Sequence, residues 1–158
     1  MILLTHSIAG AALAATQKDP LLAILVGFLS HFVLDVVPHW EYKIKPLQED
    51  PLSREALPAY RKIVIDGLSG VAVPLALFVL WQDADFWLVF SGIIGAMLPD
   101  ALQGVHLFWR SNRPVAALYR FHHSIQQLTF KLLPWPWIGM SFTIFTTLFF
   151  IALGFRWT

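Results

Sequence analysis

The 158-residue chain is 57% hydrophobic and 13% charged, with a mean hydropathy of +0.63. A soluble domain carries roughly 25% charged residues, so a polytopic membrane protein is the class that fits. A formal net charge of +1 gives no basic footprint for nucleic acid, and the absence of cysteine excludes disulfides, thiolate metal sites and cysteine nucleophiles.

Apolar segments at about 1–16, 20–39, 62–81, 86–108 and 137–155 predict five helices. The expected fold is one membrane-embedded all-α domain over 1–158, a polytopic bundle of about five transmembrane helices with an amphipathic helix on its cytoplasmic face. The first segment has no basic n-region and carries His6, so it reads as a retained helix and not a cleaved signal. It is short for a bilayer and is expected to sit deep against its neighbours. Gly10 with Ala14, and Ser7 with Ala11, give it small faces suited to close packing inside the bundle or between protomers of an oligomer. Lys18-Asp19-Pro20 turns it into an antiparallel hairpin with the second segment.

The stretch from Glu41 to Tyr60 mixes charge with Pro46, Pro51 and Pro58 and reads as an irregular or interfacial cover. Residues 114–132 open on Pro114 and interleave Leu118, Phe121, Ile125 and Leu128 with Arg120, His122, His123 and Gln126, the pattern of an interfacial amphipathic helix. Gly27 to Asp35 and Gly92 to Asp100 repeat one spacing late in the second and fourth segments, hinting at a duplicated hairpin. All seven tryptophans fall at predicted helix ends, where the ring prefers the water–lipid boundary. Lys43, Lys45, Arg54, Arg61, Arg110, Arg113, Arg120 and Lys131 lie on one side, with Lys62 at its border, and only Lys18 and Arg156 on the other. The positive-inside rule then puts the N-terminus in the cytoplasm and the C-terminus outside.

Within Ser30-His31-x-x-x-Asp35-x-x-Pro38-His39-Trp40-Glu41, His31 and Asp35 lie roughly 40° apart on one helix face, so both reach one point. In hydrocarbon such groups need partners. The five-segment topology brings His6, His31, Asp35, Asp66 and Asp100 to a common depth near the cytoplasmic boundary, with His39, Glu41, His106, His122 and His123 on the same side. Simpler roles stand beside this reading: Asp66 as counterion of Lys62, Asp100 as cap of a helix restarted after Pro99, His106 as an interfacial residue. Leu98-Pro99-Asp100 would break its helix and free the carbonyl of Gly95, which is tolerated beside a polar cavity.

So many carboxylates and imidazoles exceed the four ligands of a closed structural zinc site. They predict one open divalent metal, or two bridged by a carboxylate, with zinc, manganese or iron suited to mixed nitrogen and oxygen ligation. The sequence holds no His-Glu-x-x-His, no Gly-x-Ser-x-Gly elbow, no P-loop and no dinucleotide fingerprint.

Thr5-His6, the His31 to Glu41 stretch, Leu98-Pro99-Asp100 and Phe121-His122-His123-Ser124 resemble small bacterial inner-membrane proteins assigned as metal-dependent hydrolases. His31-x-x-x-Asp35 also looks like the helical signature of the zinc-dependent phospholipase C and nuclease superfamily. The resemblance implies an inner-membrane protein with His6, His31, Asp35, Asp100 and His122 as metal ligands. Where the hydrolases often continue with a second Asp-His pair, this chain has Leu102 and Gln103.

The leading expectation is a metal-dependent hydrolase acting on a lipid phosphoester at the cytoplasmic leaflet. Asp66 is counted with the ligands, Asp35 or Asp66 handles the attacking water, and Glu41 or His123 protonates the leaving group. Arg61, Lys62 and Arg120 would hold phosphate, with His39 at the mouth. The alternative is a non-enzymatic scaffold or partner-binding protein whose metal only fastens helices together. Transport is disfavoured, because the outer halves of the helices offer few polar steps.

Overall fold

The computed structural model describes residues 2–37, 39–40, 44–132 and 136–155. These residues are helical and contain no strand. The elements are α1 (Leu3–Ala14), α2 (Pro20–Val36), α3 (Lys45–Glu49), α4 (Leu57–Pro74), α5 (Phe86–Phe108), α6 (Arg113–Leu132) and α7 (Pro136–Gly154). A 3₁₀ turn, Arg54–Ala56, leads into α4, which continues beyond Pro74 as a π-helical stretch, Leu75–Leu80.

Local chemistry sets most helix starts. Asp19 accepts from the Leu22 N–H at 2.9 Å with Pro20 in the first turn, Asp85 from Leu88 at 3.0 Å, and Asn112 from Val115 at 3.1 Å. The start of α1 is different, since Ile2 offers no capping side chain. Its orphan donors are satisfied from α4: the Asp66 carboxylate accepts from Leu3 N–H at 2.8 Å and Leu4 N–H at 3.0 Å.

Arg54–Leu80, Phe86–Phe108 and Trp137–Gly154 are long and apolar enough to cross a membrane, while α1 and α2 are shorter apolar helices. Leu21, Leu25, Leu29 and Val33 form an exposed stripe on α2, and Val64, Ile65 and Leu68 on α4 and Ile144, Phe145 and Leu148 on α7 are exposed too. Apolar surface of that extent suits lipid contact. Trp40, Trp81, Trp87, Trp109 and Trp137 are exposed at or near helix ends, the placement expected of interfacial aromatics.

The short α1 is the hub. It packs against α2, α4, α5 and α7, and every residue from Thr5 to Ala12 is buried. A helix apolar all round belongs inside a bundle, and at about 18 Å this one is shorter than the hydrocarbon core. Against it and α2 runs α5, at a distance only glycine permits. A Cβ on Gly92 would stand 2.4 Å from the Gly10 carbonyl oxygen, and one on Gly95 would stand 2.1 Å from that of Ile24.

Two expectations are corrected. The described part of the 41–60 segment is a cover, as expected, but is built of short helices and not of irregular chain: Leu47, Ala56 and Ala59 form a buried cluster, and Arg110 donates to the Gln48 carbonyl at 3.1 Å. Pro58 sits comfortably in a first helical turn, so α4 starts well before the apolar run. Pro99 does not break α5, which runs through it unbroken. The lost donor frees only the Gly95 carbonyl, and packing on α1 and α2 holds the helix together. Asp100 is therefore an interior residue of α5 and caps no new helix.

Gly95→Ala should force α5 away from α2, costing about 1–3 kcal/mol and lowering Tm in detergent. Gly104→Ala, where a Cβ meets nothing within 4 Å, should leave Tm unchanged or raised.

Candidate metal centre

Four helices deliver five ligand-type side chains to one buried region, as two adjoining groups that share His31: His6 from α1, His31 and Asp35 from α2, Asp100 from α5 and His122 from α6. His6, His31, Asp35 and His122 are fully buried, and the Asp100 side chain is 26% exposed. The helical offset of four residues puts His31 and Asp35 on one face, with His31 Nε2 3.5 Å from Asp35 Oδ2. His6 Nε2 lies 3.3 Å from Asp35 Oδ1, and its ring stacks on that of His31 with centroids 3.9 Å apart. His122 Nε2 meets the other carboxylate oxygen, Oδ2.

Backbone carbonyls orient the rings. His31 donates its Nδ1–H to the Ala96 carbonyl at 2.6 Å, which leaves the Nε2 lone pair facing inward. His39 donates from Nδ1 to the Val37 carbonyl at 2.6 Å, leaving its Nε2 4.0 Å from Asp35 Oδ1. Gln103 donates from Nε2 to His122 Nδ1 at 2.6 Å and to Asp100 Oδ1 at 3.2 Å. Turned about its last side-chain bond, the same amide presents Oε1 to an Nδ1–H of His122 and releases the Nε2 lone pair for a cation.

The donor set fits a divalent ion. Ligands about 2.0–2.2 Å from a four-coordinate ion stand about 3.3–3.6 Å apart. Here His31 Nε2 is 3.1 Å from His122 Nε2 and 3.7 Å from Asp100 Oδ1, and His122 Nε2 is 3.8 Å from Asp100 Oδ1. His6 adds a second sign, because neither of its buried ring nitrogens makes a hydrogen bond. A buried polar atom left that way costs about 1–3 kcal/mol, a cost that ligation by a cation would remove. His6, His31 and Asp35 could hold an ion, as could His31, Asp100 and His122, the two sets sharing His31. The metal's identity is not set by these donors.

Of the residues singled out in the sequence, the structure assembles His6, His31, Asp35, Asp100 and His122. It takes Asp66 elsewhere: both oxygens of that carboxylate accept from the first turn of α1, so it positions His6 from a distance and is not among the gathered donors. Lys62 is exposed, as are Arg61 and Arg120, outside the buried group. His123 is exposed on the other face of α6, where it pairs with Gln127 and stacks on Tyr119. His39 is buried beside Asp35 and does not line an open mouth. Its segment is held by α7, for Trp40 N–H donates to Thr143 Oγ1 at 3.0 Å. Glu41 lies outside the described residues. The sequence reading passed over Gln103 and Gln126, the latter with Nε2 3.3 Å from His122 Nε2. Their signal was positional: Gln103 is one turn beyond Asp100, and Gln126 one turn beyond His122.

Elemental analysis separates these roles. The purified protein should carry a divalent metal that Asp35→Ala loses. Asp66→Ala should keep it while losing about 1–3 kcal/mol of stability through the unpaired Leu3 and Leu4 N–H groups; metal loss in that variant would restore Asp66 to the ligand set.

No family model, no curated protein and no solved structure matches the chain.

Proposed function

We propose that the protein is a membrane-embedded metal-dependent hydrolase of a lipid phosphoester. The observation that carries this reading is the buried convergence of three imidazoles and two carboxylates, one of which, Asp100, is partly open. Ligands that only fasten helices would all close on the ion, whereas a catalytic site leaves one side accessible. A divalent ion held there, with zinc, manganese and iron as candidates, would bring the pKa of a water to about 7 and polarise the scissile bond.

The chain's own residues would do the rest. Asp100, through the oxygen it does not give to the ion, would take the proton of the attacking water as the water oxygen bonds to phosphorus, then return it to the leaving oxygen as the ester P–O bond breaks. Gln103, turned so that its Oε1 accepts from the His122 Nδ1–H, would hold that ring in place as a ligand. Asp35, deep among the imidazoles, supplies negative charge to the cation. The exposed Arg61, Lys62 and Arg120 attract anionic headgroups.

The distribution of basic residues supports a cytoplasmic-leaflet site in a bacterial inner membrane, with the N-terminus inside. On this topology α1 and α2 complete a five-helix arrangement with the three longer spans. The resemblance to small inner-membrane hydrolases points the same way. Complete burial of His6, His31, Asp35 and His122 favours the second reading, a metal-stabilised scaffold without turnover.

Purified protein in lipid nanodiscs should release phosphate from a lipid phosphate such as a polyprenyl phosphate, and EDTA should abolish this. His31→Ala and Asp35→Ala should lower kcat by more than about 100-fold, since loss even of a residue supporting a ligand costs 10–100-fold. A folded, metal-loaded protein inert on every phosphoester offered would leave the scaffold reading standing.

A further inference from the structure

Asp100 and Gln103 have a second face. Where they turn away from His31 and His122 they line a cavity of about 380 Å³ between α4, α5 and α6, with the α3 cover on its rim. Asp100, Gln103 and Gln126 face this cavity on the side of the candidate metal centre, and Gln48 and Tyr119 add polar groups elsewhere. The rest of the wall is mainly aliphatic, with Leu47, Ile63, Met97 and Leu107 prominent, and no lysine or arginine faces it. Two glycines keep it open. A Cβ on Gly104 would touch nothing within 4 Å, and one on Gly67 would meet only the tip of Met97, at 3.8 Å.

A largely apolar chamber whose one charged side chain, Asp100, lies on the side of the centre suits an amphiphile whose head lies there. With no cation in the wall, a phosphate has no partner inside the chamber, so the charged end must lie at Asp100 and the centre beyond it. The volume sits near the lower end of the roughly 300–1,000 Å³ typical of small-molecule sites, room for one hydrocarbon chain and not two. We propose that this cavity takes the single tail of a lipid phosphate, so that the protein selects one-chain substrates by tail length. The inference rests on the hydrolase reading for its head group but on the cavity alone for its tail.

Binding of alkyl phosphates to the metal-loaded protein tests it. Affinity for octyl, decyl and dodecyl phosphate should climb by about fourfold per methylene until the chamber is full, since each buried methylene contributes about 0.8 kcal/mol. A photoreactive dodecyl phosphate should label Ile63, Met97 or Leu107, with protection by dodecyl phosphate and none by inorganic phosphate. Gly104→Phe, or Gly67→Leu should the first fail to fold, should flatten the chain-length series while metal content stays at the wild-type value. Labelling outside the cavity, an undiminished series in the filled variant, or equal affinity for two-chain phosphatidic acid would overturn the inference. Chain-length-dependent binding without turnover of any phosphoester would instead overturn the hydrolase reading and leave the tail site intact.

Discussion

Backbone-to-backbone contact among α1, α2 and α5 governs the geometry of the molecule. Gly92 and Gly95 let α5 approach so closely that a single methyl group at either position would collide with a carbonyl oxygen of a neighbouring helix. Helices in lipid gain nothing from burying apolar surface against one another, so such close packing is a principal source of their attraction. From that crossing, Asp35 lies as far along α2 from Gly27 as Asp100 lies along α5 from Gly92. Equal helical rise then brings both carboxylates to one depth.

The second constraint is the burial of Asp35. A carboxylate with no exposed surface must be surrounded by groups that compensate it; four imidazoles surround Asp35 from α1, α2, α6 and the segment after α2, and the inward lone pairs of His31 and His39 leave that compensation to be completed by a cation. Their orientation depends on groups outside the centre: the Ala96 and Val37 carbonyls and the Gln103 amide hold the outer ring nitrogens. Asp66 contributes at longer range, because capping α1 fixes where that helix begins and hence where His6 stands. One polar cluster thus accounts for both the packing of the helices and the chemistry they could support.

Hydropathy located the apolar helices, since a run of lipid-compatible residues is a local property. The limits of α5 agree with those expected, and the amphipathic α6 was legible from its period. The helices of the cover were missed because prolines that punctuate a loop also suit first helical turns, as Pro46 and Pro58 do. Pro99 misled in the same way: its effect on a helix depends on what packs around the freed carbonyl. Asp66 was grouped with the ligands by depth alone, and depth cannot tell a carboxylate facing a cation from one facing a helix N-terminus.

By itself the sequence determined that the chain is helical and suited to lipid, and that His6, His31, Asp35, Asp100 and His122 are ionisable groups in need of partners. Those conclusions follow from composition, period and the cost of burying charge, all of which are read along one strand of text. Only the tertiary structure decided that these five meet, that Asp66 serves α1, that Gln103 joins His122 to Asp100, and that a cavity opens behind that pair. Each of those facts is a distance between helices, and such distances depend on glycines and caps whose partners lie far away in the chain.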